Sequence, residues 1–277
     1  MDSKVDTVHE SVMAADAAAA ASGVTVRELD GIGELHATAG LLAEIWGRPG
    51  NLPITPELLR AFSKAGNYIC GAFDGDRLVG ATIGFHSTPQ EQALHSHIAG
   101  VAPALTGRSV GFAMKQHQRA WALARDIPVI VWTFDPLVAR NAYFNLAKLG
   151  AVAVEYLSNF YGVIPDVING DDETDRLLVR WQLRDPIVVS AAHEGRVPRV
   201  DSGQHETVFI AIPPDIESMR RSDPALAHEW RITVRERLTE QLGAGGRIVG
   251  FDRAAGYVVQ PAARDAVHPG ARRGDSS

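Results

Sequence analysis

The chain of 277 residues has one cysteine, Cys70. A single thiol excludes an internal disulfide framework and a cysteine-based zinc site. With no basic neighbour to favour its thiolate, Cys70 is expected to be a core residue. No apolar run approaches the roughly 20 residues of a membrane helix. The opening stretch MDSKVDTVHESVMAADAAAAASG lacks the basic start and apolar core of a signal peptide. Lys and Arg number 27 against 33 Asp and Glu, for a net charge of −6, and no basic run stands out. That excludes a sequence-independent grip on nucleic-acid phosphates. The expectation is a cytoplasmic protein with no metal, nucleic-acid or membrane partner.

What is present is an ordinary globular balance, 45% hydrophobic and 22% charged. The length suits one large domain, or one domain with a smaller companion. Residues 1–23 are Ala-rich with little to bury, and are expected to be a frayed, disordered or helical extension. The tail, 263–277, is rich in Gly, Pro and Arg and is expected to be disordered. Between them the pattern alternates strands and helices. Strands are expected at 24–29, on both sides of an Asp74-Gly75 turn within 67–87, and at 93–101, 127–134, 175–183 and 207–213. Helices are expected at 34–47, from Ser109 to Arg125, over 135–151 with Asp135 and Pro136 as start signals, and from Pro224 with Asp223 as cap. The stretch 185–204 reads as loop, and two short strands around RIVGF and GYVVQ follow the last helix. Hairpins mixed with helical crossovers predict an α/β (α+β) fold with a mixed sheet over 24–184, and a segment 185–262 that packs on that sheet or extends it.

The stretch APALTGRSVGFAM places Gly107, Arg108, Ser109, Val110, Gly111 and Ala113 between a strand and a helix. Glycines there let backbone N–H groups approach a ligand, and the helix start adds partial positive charge. Such a turn suits a pyrophosphate, although glycine at a strand–helix turn is also ordinary turn chemistry. Neither the Gly-Lys-Ser/Thr nucleotide loop nor the complete Gly-x-Gly-x-x-Gly fingerprint is there.

In its setting of strand, turn, long helix and apolar strand, this stretch resembles the central motif of the GNAT superfamily of acyl-CoA N-acyltransferases. That motif is Arg/Gln-x-x-Gly-x-Gly/Ala, matched by Arg108 to Ala113, with Val101 and Pro103 upstream. A second motif is approximated by Asn141 and by Lys148-Leu149-Gly150-Ala151. The resemblance covers about 24–184. It implies a mostly antiparallel central sheet with flanking helices, and acetyl-CoA or another acyl-CoA as co-substrate. It places the pyrophosphate on the backbone from Thr106 to Gly111. The pantetheine arm would pair with a splayed strand through Ala99 and Val101, with Asn141 on its other side. The acceptor implied is a small-molecule amine, an amino acid among the candidates, and a homodimer is left open. Many relatives carry a thiolate-protonating Tyr two residues before that Lys; here the position is Leu146, and Tyr143, one turn earlier, is the candidate substitute acid, the alternatives being protonation by water or a fold that has lost its chemistry.

Attack on a thioester requires a neutral amine, and imidazole is the natural base near neutrality. His95 and His97, two apart on one strand, are expected to share a face with Ala99 and Val101, with Leu94, Ser96 and Ile98 opposite. The spacing His-x-His-x-x-x-Val is similar to that of the serotonin N-acetyltransferases, where paired histidines deprotonate the amine through water. His97, nearer the expected splay point, is the first candidate base and His95 the second, and the N–H near Ala99 would be the oxyanion donor. The alternative is a pair of structural histidines. His86 and Tyr161 are further candidates for the same pocket; Asp74 and Asp76 read as solvated, and 171–176 reads as an acidic loop, with an internal Asp175-Arg176 pair as the alternative. The function expected is a CoA-dependent N-acyltransferase; the rivals are a non-catalytic acyl-CoA-binding regulatory domain and an interaction protein using its C-terminal segment.

Overall fold

The computed structural model describes residues 2–47, 52–162, 164, 172–197 and 207–262. A first helix, α1 (Asp2–Ser22), precedes β1 (Thr25–Glu28), α2 (Ile32–Ile45) and α3 (Pro56–Lys64). The strands β2 (Tyr68–Asp74), β3 (Arg77–His86) and β4 (Ala93–Val101) lead through a 3-10 turn, Pro103–Leu105, into α4 (Val110–Ala124). Next come β5 (Val129–Phe134), a short α5 (Ala139–Ala142) running into a π-helical stretch Tyr143–Lys148, then β6 (Val152–Leu157) and β7 (Arg176–Gln182). The C-terminal part comprises α6 (Pro186–Glu194), β8 (Val208–Ile210), α7 (Ile216–Ser222), α8 (Pro224–Gly243), β9 (Arg247–Asp252) and β10 (Gly256–Gln260).

Seven strands form one sheet in the order β1-β2-β3-β4-β5-β7-β6. Its neighbours are antiparallel except β4 and β5. That parallel pair follows from the helical crossover α4 between them, since a tight turn cannot join parallel strands. The β2–β3 turn residues are Gly75 and Asp76, one step beyond the expected pair, because Asp74 still pairs with Arg77. The main core lies between sheet and α4, through Leu94, Val110, Met114, Trp132, Leu177 and Trp181. A smaller core on the opposite face holds Leu35, Leu42, Leu59, Ile69 and Ile83 under α2 and α3.

Several expectations are corrected. Helix α1 does bury a face: Ser11, Ala14, Ala15 and Ser22 are under 6% exposed, small side chains that let it approach α4 closely. Its Glu10 receives the fully buried Arg119 of α4 at 2.8 Å, so α4 is covered on two sides. The 135–151 helix starts only at Ala139. Asp135 accepts from the N–H of Leu137 but is otherwise an ion-pair centre. The expected 185–204 loop contains α6, capped by Asp185; residues 198–204 and the tail 263–277 lie outside the described residues. The elements α3, β6 and α7 have no counterpart in the sequence-based expectation. In α8 the buried face is Ala227, Arg231, Val234 and Leu238, whereas the four-residue spacing of Leu226, Trp230, Val234, Leu238 and Leu242 in the sequence predicts a stripe that includes Leu226, which is 39% exposed. An arginine occupying a core face conceals the true register.

Strands β8, β10 and β9 do not extend the main sheet; they form a sheet of their own in that order. Gly256 (φ +94°) is required here, because a Cβ would lie 2.1 Å from the carbonyl oxygen of Ile210. The buried Tyr257 hydroxyl donates to the Pro136 carbonyl at 2.7 Å, tying this sheet to the end of β5. A charged network does the same for the helices. Asp135 is met by Arg220 at 2.5 Å, Arg231 at 3.5 Å and Arg176 at 4.0 Å. Arg231 also holds Asp172 at 2.5 Å, and Arg235 holds Asp175 at 2.6 Å and pairs with Glu173. Burial alone raises the Asp135 carboxyl pKa, but Arg231, Arg220 and Arg176 together hold it below its ordinary 3.8.

Removing one partner of a buried network leaves the others uncompensated, so Asp135→Ala is expected to cost about 3–5 kcal/mol in urea denaturation. Arg140→Ala, which breaks the exposed pair with Glu217, should cost less than about 1 kcal/mol. Because the Asp135 pKa is depressed, its contribution is complete at neutral pH and is lost only as pH falls below 3.8.

Candidate active site

Strands β4 and β5 pair through Ala93↔Val129, Leu94↔Ile130 and His95↔Val131 and then part. From Ser96 to Val101 the β5-facing edge of β4 has no strand partner among the described residues, while its other edge stays paired with β3 as far as Val101↔Gly80. The fork opens toward the C-terminal ends of both strands, where the turn into α4 lies.

In that turn Thr106, Gly107, Arg108 and Ser109 are exposed. Gly107 (φ 91°) and Ser109 (φ 62°) are left-handed, and a Cβ on Gly107 would meet nothing within 4 Å. Leu105 and Pro103 carbonyls take the N–H groups of Arg108 and Thr106. Among the described residues those of Gly107, Ser109, Val110 and Gly111 have no acceptor. They form a set of open donors at a helix start, the arrangement that receives an anion. The Arg108 side chain turns away to Asp74 at 3.1 Å and the Ser22 carbonyl at 3.2 Å, so Asp74 is paired rather than merely solvated. Ala113 is fully buried and gives its N–H to Ser109; its place is in the packing beneath the turn.

The histidines require a correction. Ile83 pairs with Ile98 and Gly84 with Ser96, so His97 is an extra, bulged residue in β4. The bulge reverses the alternation. His95 and His97 do share a side, both against Phe85 at 4.9 and 5.6 Å between ring centroids, with Phe62 of α3 beyond. Ile98 joins them there in the smaller core. Ala99, opposite Thr82, instead faces α4, because Thr82 reaches Met114. Burial, then the charges of His97 and Lys115, lowers the His95 pKa to about 4; burial lowers that of His97. Both rings are neutral at pH 7, and among the described residues no partner is bonded to their nitrogens. His86 points elsewhere, to the Gly66 carbonyl and toward Trp121. Tyr161 lies 3.4 Å from the Thr133 hydroxyl of β5. Cys70 is a core thiol pushed up to about 12 by burial.

Asn141 lies half-buried in α5. Tyr143 is covered by the Arg253 guanidinium, 3.9 Å above its ring, and no contact among the described residues joins it to the histidines. Leu146 is in the core. The group that does reach the fork carries no signal of its own in the sequence. Lys115 of α4, 5% exposed, donates to Ser96 Oγ at 2.9 Å and Gln118 Oε1 at 3.0 Å. Its Nζ lies 3.8 Å from the centre of the Trp132 ring, and Trp132 in turn donates to Asn145 at 3.1 Å. Burial lowers the Lys115 pKa to about 7.

No protein-family model and no curated protein matches the chain. Among solved structures it is similar to an N-acetyltransferase from Staphylococcus aureus Mu50, at 13% identity over 58% of this chain and 99% of that one, TM-score 0.49. It is also similar to a protein from Salmonella typhimurium solved with its cofactor acetyl-CoA, at 14% identity over 59% and 95%, TM-score 0.48. A third is the ribosomal-protein-S5-alanine acetyltransferase of Vibrio fischeri, at 17% identity over 59% and 94%, TM-score 0.47.

Between pH 7 and the ordinary lysine value of 10.5, the unfolded chain holds a proton on Lys115 that the folded chain has released. Stability therefore rises with pH across that window. Lys115→Met is expected to be more stable than the parent at pH 7, with the difference shrinking toward pH 10.5, read from paired denaturant titrations.

Proposed function

We propose that this protein transfers an acetyl or other short acyl group from acyl-CoA to a small-molecule amine. The observation that carries the reading is the fork: β4 leaves β5 after His95↔Val131, directly above a helix start with open N–H donors. An extended pantetheine arm supplies the hydrogen-bond partners that the free edge of β4 lacks, along Ala99 and Val101, with Asn141 on the far side. The pyrophosphate then falls on the turn from Thr106 to Gly111, on the open N–H groups of Gly107, Ser109, Val110 and Gly111. The thioester reaches the narrow end, beside the bulge at His97.

The acceptor enters on the side of the sheet lined by Phe62, Phe85, His95 and His97, with Tyr161 at its edge. His97, exposed and neutral, takes the proton of the amine directly or through water, and His95 holds that water. Nitrogen bonds to the thioester carbon, the C–S bond breaks, and amide and CoA thiol are the products. The buried Leu146 and covered Tyr143 favour a second reading, an acyl-CoA-binding domain without turnover.

Acetyl-CoA at saturation is expected to raise the melting temperature, and a panel of primary amines to include one that releases CoA thiol. A shift without thiol release supports the binding domain; no shift with CoA or acyl-CoA removes both readings. His97→Ala is expected to lower kcat by about 100-fold. It should also abolish the acidic limb, in which the parent loses rate as pH falls through a pKa below 6.5. An unchanged limb takes His97 out of the mechanism.

A further inference from the structure

The proposed transfer leaves a thiolate that needs a proton, and neither Leu146 nor Tyr143 meets the fork. Lys115 does. It is bonded to Ser96, one residue past the last paired position of β4, and lies against Trp132, one residue past the last paired position of β5. Its ammonium therefore bridges the two arms where they separate.

We propose that Lys115 is the general acid of the transfer, meeting the charge that develops on the CoA sulfur and giving it a proton. The inference rests on the acyl-transfer reading. As the amine nitrogen bonds to the thioester carbon, the C–S electron pair passes to sulfur and the Nζ proton follows. The surplus proton on nitrogen leaves through His97 to water, and water re-protonates Lys115.

The surroundings of Lys115 fit this role. Among the described residues no carboxylate comes within 4.0 Å of Nζ, and burial is the one influence on its titration. Against it lie Ser96 from β4, Trp132 from β5 and Gln118 from its own helix; the titratable group that feels its charge is His95, on the other face of β4, whose pKa is lowered by burial, then by His97 and Lys115. A buried cation with neutral partners costs stability. Gln118, whose oxygen holds Lys115, has an Nε2 with no partner, a second donor beside the same spot. With its pKa near 7, Nζ gives up its proton more readily than an ordinary thiol of about 8.5, so transfer to the thiolate runs downhill.

The test compares kcat, KM and pH profiles of the parent, Lys115→Met and Lys115→Arg, using acetyl-CoA and the amine panel. In Lys115→Met, kcat is expected to fall about 100-fold while KM for acetyl-CoA stays within about threefold. The melting shift with acetyl-CoA should persist. The parent should lose rate above about pH 7, as the acid loses its proton, and the variant should lack that limb. Lys115→Arg keeps the charge but holds its proton, so it too should be slow and without the limb; it covers the case in which the Met variant does not fold. A kcat within about threefold of the parent, or a persisting alkaline limb in either variant, overturns the inference and leaves acyl transfer standing. Loss of the melting shift overturns it as well, because Lys115 would then serve binding. A parent that releases no thiol with any amine removes the transfer reading itself.

Discussion

Strands β4 and β5 run parallel for three residue pairs and then separate, and the placement of every other part of the site follows from that. A parallel pair needs a crossover, so α4 must begin beyond the C-terminal end of β4, which is the wide end of the fork. Open backbone edge and helix start are thus brought together by topology, at the carboxyl ends of parallel strands where α/β sheets bind ligands. The rest of the sheet keeps the fork open. β4 is held on its far side by β3 and β5 by β7 along its whole length, so neither strand is free to swing in and close the gap.

Two kinds of buried charge flank this fork, and their difference separates structure from chemistry. Around Asp135 four guanidiniums (Arg176, Arg220, Arg231, Arg235) meet four carboxylates (Asp135, Asp172, Glu173, Asp175). Each charge is compensated, and the network fastens α7 and α8 to the end of β5. Lys115 has hydroxyl, amide and ring partners and no compensating charge. Matched burial fixes a position; unmatched burial lowers a pKa and leaves a proton to give.

The sequence displays the fold where local signals and burial agree, and hides it where they conflict. The β2–β3 hairpin, β4 and α4 carry plain alternation or apolar stripes, and the glycine-bearing turn at 107–111 is legible from its setting. Helix α1 misleads because its packing face is built from Ala and Ser, which carry no hydrophobic signal, and α8 because Arg231 occupies a core position. Lys115 is hidden for a related reason: with α1 on one side and the sheet on the other, twelve of the fifteen residues of α4 are buried, so a lysine beside the apolar stripe is enclosed rather than solvated. The bulge at His97 has no sequence signature either. One inserted residue leaves the two histidines together yet sends Ala99 to the opposite face.

That bulge bears directly on the proposed chemistry. A base and an acid placed side by side would exchange a proton and disable one another. Here the His95 and His97 rings lie against Phe85 on the α3 side of the sheet, and Lys115 reaches Ser96 from the α4 side. The strand itself stands between them, and the positive charge below helps to keep the His95 ring neutral above. An acyl carbon held at the narrow end of the fork would therefore receive its nucleophile from the side where protons are accepted, and release sulfur toward the side where one is given.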